Sequence, residues 1–127
     1  MFNVVVPILI AGILPFVFAG LAKSKGFTRA DNHATREWQN NLEGWRKRAY
    51  WAHQNAFETL PHFFAAVLCA YLAQPHSAIA AAFAWGYVAM RLVYSLCYIT
   101  DRASLRSVAW MFSMVAIVGL FVTALTA

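Results

Sequence analysis

Charge is scarce in this chain. Asp, Glu, Lys and Arg make up 12% of its 127 residues, about half the usual share in a soluble domain, and only five are acidic. Apolar residues make up 61%, with a mean hydropathy of +0.56, more than a soluble domain of this length can bury. Cysteine is equally sparse. Cys69 and Cys97 have no CxxC spacing and are too few for a secreted disulfide framework, so both are expected to be small core residues. Metal signatures are missing as well. His33, His53, His62 and His76 are scattered, none in an HExxH or paired-cysteine context, and no structural metal is expected. No repeat of roughly 20 to 50 residues divides the chain, which reads as a single domain over 1–127.

What the chain does contain is four long apolar segments: about 2–22, 49–73, 77–99 and 105–127. As a helix, Phe2 to Ala22 would run about 31 Å at 1.5 Å per residue, enough to cross a bilayer. A cleaved leader would carry its positive charge ahead of the apolar run. Here Lys23 and Lys25 follow it, so this helix is expected to be retained. The breaks at Gln74-Pro75-His76 and Thr100 to Ser104 are short, which implies antiparallel neighbours. The fold class expected is therefore all-α, a four-transmembrane-helix up-down bundle.

Charge gives the orientation. The connection 23–48 carries seven basic residues (Lys23, Lys25, Arg29, Arg36, Arg46, Lys47, Arg48) against three acidic ones, and Arg102 and Arg106 follow the third segment. The positive-inside rule puts both connections in the cytoplasm and both termini on the other side. A net charge of +5 gathered at membrane ends points to topology and lipid contacts, and no nucleic-acid partner is expected. Trp45, Tyr50 and Trp51 read as an interfacial belt. Ala78, Ala82 and Gly86 recur at i, i+4 and i+8, where another helix is expected to approach closely.

Polar residues inside the segments carry the functional signal. Trp51, Asn55, Glu58 and His62 share one helical face, and Glu58 is a carboxylate at membrane depth. Pro61 leaves the carbonyl of Phe57 without its usual helical donor. Arg91, Tyr94 and Tyr98 share a face of the third segment, followed by Arg106 and Ser107. Burying Arg91 or Glu58 singly costs several kcal/mol, so they should pair with each other or with a polar ligand. A structural salt bridge and a binding site are both open on these grounds. His53 is either a base or a hydrogen-bonded histidine near the interface.

The run Ala52-His53-Gln54-Asn55-Ala56-Phe57-Glu58-Thr59-Leu60-Pro61, with Arg91-Leu92-Val93-Tyr94-Ser95-Leu96-Cys97-Tyr98 and Leu105-Arg106-Ser107, resembles the MAPEG family. These are the membrane-associated proteins in eicosanoid and glutathione metabolism, and the likeness is to bacterial members similar to microsomal glutathione transferases. The resemblance implies four helices per subunit, a homotrimer, and glutathione as co-substrate between subunits near the cytoplasmic side of a bacterial inner membrane. It implies that Asn55, Glu58, Tyr94 and Tyr98 bind glutathione and that Arg106 faces its thiol. Arg91 is added to the binding set from its place on the Tyr94 face, and Ser107 either adds a hydrogen bond or caps its helix. The activity implied is a transferase or peroxidase of detoxification type, acting on apolar small molecules drawn from the membrane lipids. The departures are Trp51 and Gln54, where glutathione-using members carry arginines, and Trp110, where a tyrosine is common. Arg48 stands one turn further out, placed either to compensate or to anchor the segment. The alternative implied is a non-catalytic lipid-binding or partner-binding membrane protein of the same fold.

Overall fold

The computed structural model describes residues 3–127. Four long helices carry the chain: α1 (Val5–Ala22), α3 (Gly44–Ala73), α4 (Ala78–Ile99) and α5 (Ala103–Leu125). All four are long and apolar enough to cross a membrane. A 3-10 turn (Ala30–Ala34) and the short α2 (Thr35–Asn40) occupy the connection between α1 and α3. The expected start of the first segment at Phe2 lies outside the described residues. From there on the four segments match the helices to within a few residues, except at the start of α3.

That helix begins at Gly44, five residues before the apolar stretch. Apolarity marks where a helix meets lipid, whereas the helix itself needs only its backbone bonds, so a basic turn extends beyond the hydrocarbon. Thirty residues give α3 a length of about 45 Å, against a core of about 30 Å. The projecting turn is stitched to its surroundings. Arg46 donates to the carbonyl of Lys25 and Lys47 to that of Asn40. Arg48 donates through Nε and Nη2 to the carbonyl of Ile99, at 3.3 and 3.1 Å. This last bond ties the start of α3 to the end of α4 and fixes their antiparallel arrangement.

Each stop has a local cause. Asn3 Oδ1 accepts from the amides of Val5 and Val6, opening α1. Pro75 ends α3, and the Ser77 side chain caps α4 by accepting from the amide of Ala80 at 3.1 Å. The α4–α5 turn closes through Asp101 in the left-handed region (φ 60°), with the amide of Arg102 donating to the carbonyl of Cys97 at 2.8 Å. At the opposite end Gln74 Nε2 donates to the carbonyl of Thr123 at 2.9 Å, latching the α3–α4 turn to α5.

Helix α3 touches α1, α4 and α5, while α4 and α5 make the most extensive pairing. The core runs between them through Leu60, Phe63 and Val67 of α3, Ala84 and Tyr87 of α4, and Ile117 and Leu120 of α5. Within the described chain the close approach lies at Gly119, and none is made at the Ala78, Ala82, Gly86 stripe. A Cβ on Gly119 would stand 2.5 Å from the Phe83 ring, whereas one on Gly86 would meet nothing within 4 Å. No helix of this chain covers that stripe, because the buried face of α4 is set by Ala80, Ala84, Tyr87 and Arg91. Cys97 is buried as expected, but Cys69 is exposed, since it lies off the buried stripe Phe63, Ala66, Val67, Ala70. Tyr50 departs from the interfacial belt in the same way, buried beside Ala49 and Leu42.

Candidate functional site

Three helices supply the polar residues singled out by the sequence. On α3, Asn55 Nδ2 donates to Glu58 Oε2 at 2.9 Å, a pair one turn apart. From α4, Arg91 Nη2 donates to Asn55 Oδ1, also at 2.9 Å. Arg91 and Glu58 are thus joined through the amide of Asn55, which presents its acceptor to the cation and its donor to the anion. A side-chain amide has both a donor and an acceptor for this.

Arg91 is 3% exposed. Its guanidinium lies 4.2 Å from the centroid of Tyr94, a cation–π contact, and its Nη1 is buried with no hydrogen-bond partner among the described residues. A buried orphan donor on a cation is costly and calls for a partner from outside the chain. Glu58 is exposed on the isolated chain, as are Gln54 and His62 on the same helix. A lipid-facing carboxylate at this depth costs several kcal/mol, so this face too needs cover.

Trp51, Gln54, Asn55, Glu58, Tyr94 and Tyr98 line one open polar chamber of about 300 Å³. Tyr94 and Tyr98 meet edge to face at 5.5 Å, and their hydroxyls have no hydrogen-bond partner among the described residues, so both can serve a ligand. The Arg106 guanidinium does not line the chamber but sits 4.4 Å over the ring of Tyr98, which does. It makes no hydrogen bond within the described chain and keeps its five donors. Ser107 is turned elsewhere: its hydroxyl donates to the carbonyl of Ala103 at 3.2 Å. Arg48 is engaged by Ile99 and Trp51 packs against Tyr98 at 6.1 Å, so no arginine stands on the α3 wall of the chamber.

Below the chamber a second groove of about 460 Å³ opens between α3 and α5 and shares Asn55 and Glu58 with it. Trp110, Met114, Ile117 and Val118 form its α5 wall. Polar chamber and apolar groove meet at Glu58, an arrangement suited to bringing a charged molecule against an apolar one.

One polar pair was not anticipated. Thr59 and Tyr87 share a buried hydrogen bond of 2.8 Å, and Tyr87 stacks on Phe63 at 3.9 Å. The signal was present, because Tyr87 precedes Arg91 by four residues and extends its face. His53 hydrogen-bonds the carbonyl of Pro15 through Nδ1 at 2.8 Å. A carbonyl only accepts, so Nδ1 carries the proton and His53 joins α1 to α3, as the hydrogen-bonded reading of this residue expects.

Outside the membrane, Thr28 donates to Asp31 through both its hydroxyl (2.6 Å) and its amide (2.7 Å). The hydroxyl bond, then the amide bond, holds the Asp31 carboxyl below its ordinary value of 3.8. No group of three or more His, Cys, Asp or Glu able to hold a metal ion occurs among the described residues.

Comparison with known proteins gives one result at the level of the family: a match to the MAPEG family over residues 4–126, nearly the whole chain. Searches of curated proteins and of solved structures returned no match. With four membrane-spanning helices and a match of that extent, the chain belongs to the MAPEG family, membrane proteins of glutathione and eicosanoid metabolism.

Proposed function

We propose that the protein is an integral membrane glutathione transferase or glutathione-dependent peroxidase, with Arg106 as the group that activates the thiol. The observation that carries this reading is the convergence of Asn55, Glu58, Tyr94 and Tyr98 on one polar chamber, with the free guanidinium of Arg106 stacked on the ring of Tyr98. Glutathione presents two carboxylates, an ammonium and a thiol. Glu58 suits the ammonium, Tyr94 and Tyr98 offer hydroxyl donors, and the unpaired Nη1 of Arg91 offers a buried cationic donor. Ser107 has the weakest claim, since its hydroxyl is engaged by its own helix.

Arg106 has a definable task. A free thiol with a pKa of about 8.5 is only a few per cent ionised at neutral pH, and the thiolate is the nucleophile. A guanidinium within hydrogen-bond reach stays charged and favours the ionised form, and lowering the pKa by about two units takes roughly 2.7 kcal/mol. The thiolate then attacks an apolar electrophile that reaches it from the groove beside Glu58, forming a thioether as the leaving group departs. Alternatively it attacks the terminal oxygen of a lipid hydroperoxide, breaking the O–O bond to give a sulfenic acid and an alkoxide that takes a proton. A second glutathione then converts the sulfenic acid to the disulfide and water.

The exposure of Glu58 and Gln54 on the isolated chain supports a homo-oligomer, a homotrimer by the family resemblance, in which a second copy packs against this face. The basic connections support an orientation with both termini on the non-cytoplasmic side of a bacterial inner membrane.

A second reading has its own observation. Trp51 and Gln54 line the chamber where the family resemblance expects arginines, which leaves glutathione's carboxylates fewer cations and favours a non-catalytic lipid-binding or partner-binding protein. One experiment separates the two. Glutathione binding to detergent-purified protein is followed by the ultraviolet thiolate band near neutral pH, with wild type beside Arg106→Ala. A band in wild type that is lost in the variant is the expected result. Absence of binding at millimolar glutathione overturns the transferase reading in favour of the second.

A further inference from the structure

His62 is the one polar residue of the α3 stripe that the proposed chemistry leaves unused. It lies one turn beyond Glu58, lines the α3–α5 groove, and has no hydrogen-bond partner among the described residues. Trp110, Met114, Ile117 and Val118 face it from α5. The α3 wall carries Glu58 and His62, and the α5 wall is apolar apart from the indole N–H of Trp110 and the weakly accepting thioether of Met114. An imidazole left without a partner at membrane depth is costly, and no group of the α5 wall bonds it among the described residues.

Its position along the helix sets the reach of an occupant. Trp51 and Tyr98 are in ring contact, and Arg106 stacks on Tyr98, so these three mark the level of the thiol chemistry. His62 lies eleven residues from Trp51, roughly 16 Å at 1.5 Å per residue. It stands too far away to transfer a proton to the reacting atoms, yet within the length of one extended chain. The sign of the neighbouring charge narrows the occupant further. Glu58, one turn away in the same groove, repels an anion, and no cation lines the groove to offset it. A neutral oxygen is left as the complement.

We propose that His62 is a specificity-determining residue that hydrogen-bonds a neutral oxygen function, a carbonyl or hydroxyl, on an elongated apolar molecule lying in the α3–α5 groove. The oxygen sits about 16 Å from the end presented at Arg106, so the preferred co-substrate is a long-chain compound with an internal oxygen, not a plain hydrocarbon or a fatty-acid anion. As a statement about co-substrate this rests on the transferase reading. As a statement about binding it stands without it.

The test uses detergent-purified protein without glutathione, and 4-heptadecanone, whose carbonyl stands about 16 Å from the far end of the extended chain, beside heptadecane. Nitrogen NMR of histidine-labelled protein reads the four imidazoles separately. The ketone should move the His62 ring signals and leave those of His33 and His76 in place, and heptadecane should move none. Wild type and His62→Gln, which keeps a donor, should bind the ketone about tenfold more tightly than His62→Leu, with heptadecane equal across the three. Equal affinity for ketone and alkane in the wild type overturns the proposal, as does a ketone affinity that survives in His62→Leu. The thiolate band of the same wild-type preparation keeps the two readings apart. Ketone selectivity without a band retires the transferase function alone, and a band without selectivity retires the role of His62 alone.

Discussion

Replacing Asn55 by alanine should cost more stability than neutralising Glu58, the reverse of what a direct Arg91–Glu58 salt bridge would give. Arg91 is buried, its Nη1 already lacks a partner, and its Nη2 is held by Asn55 Oδ1 at 2.9 Å. Asn55→Ala leaves both Nη groups of a buried cation without an acceptor from the chain. A hydrogen bond to a charged group is worth about 1.5–3 kcal/mol, and breaking a buried charge contact runs to about 3–5, so a loss of about 2–3 kcal/mol is expected. Glu58→Gln keeps a carbonyl oxygen for the Asn55 amide, and Glu58 is exposed on the isolated chain. Its cost should stay below about 1 kcal/mol, the range of a neutral hydrogen bond. The assay is equilibrium unfolding of both variants and wild type by sodium dodecyl sulfate in mixed micelles, read by circular dichroism. If Glu58→Gln costs as much as Asn55→Ala or more, the amide relay is wrong and a direct ion pair holds the helices together.

Gly119→Ala places a Cβ 2.5 Å from the Phe83 ring and should destabilise by about 1–3 kcal/mol, with Phe83→Leu restoring most of the loss in the double variant; failure of that rescue argues against the contact. Tyr87→Phe removes the buried bond to Thr59, whose hydroxyl retains the Ala56 carbonyl at 3.2 Å, so the unfolding midpoint should fall by the equivalent of about 1 kcal/mol. Asp101 holds a left-handed backbone at φ 60°, and Asp101→Gly should raise stability by up to about 1 kcal/mol in the same assay; a loss would mean that the aspartate side chain matters more than the turn. The folded-state pKa of Asp31 is depressed, so its bonds to Thr28 favour the folded loop above the ordinary aspartate value and are lost as pH falls through the lowered one. Carboxyl NMR should show Asp31 titrating below 3.8 in wild type and moving up towards that value in Thr28→Ala.

Helix positions were legible because lipid imposes one strong rule, an unbroken apolar run of bilayer length, and Pro75 and the polar turn at Thr100 to Ser104 interrupt it cleanly. The start of α3 was not, because its first turn lies outside lipid and obeys backbone bonding alone. Grouping Asn55 with Glu58, and Tyr94 with Tyr98, followed from helical spacing on single helices. Spacing gives no information about which faces of two helices meet. The relay through Asn55, the Thr59–Tyr87 pair and the Phe83–Gly119 contact all depend on that, and they became visible only in three dimensions. The engagement of Ser107 by its own helix was equally hidden, since a hydroxyl at that position has either partner within reach.

The stitching of the α3 overhang has a consequence for how the protein meets bilayers of different thickness. A free helix answers mismatch by tilting or sliding along its axis. Helix α3 cannot do so alone, since Arg46, Lys47 and Arg48 fasten one end to three separate carbonyls and the Gln74–Thr123 latch fastens the other. A thicker or thinner membrane must then deform around the bundle or tilt it as a unit. The depth of Glu58 and of both cavities is thus referenced to the basic end of the bundle and not to the bilayer centre. Molecules that enter from the lipid meet the same chemical landscape whatever the length of the surrounding acyl chains.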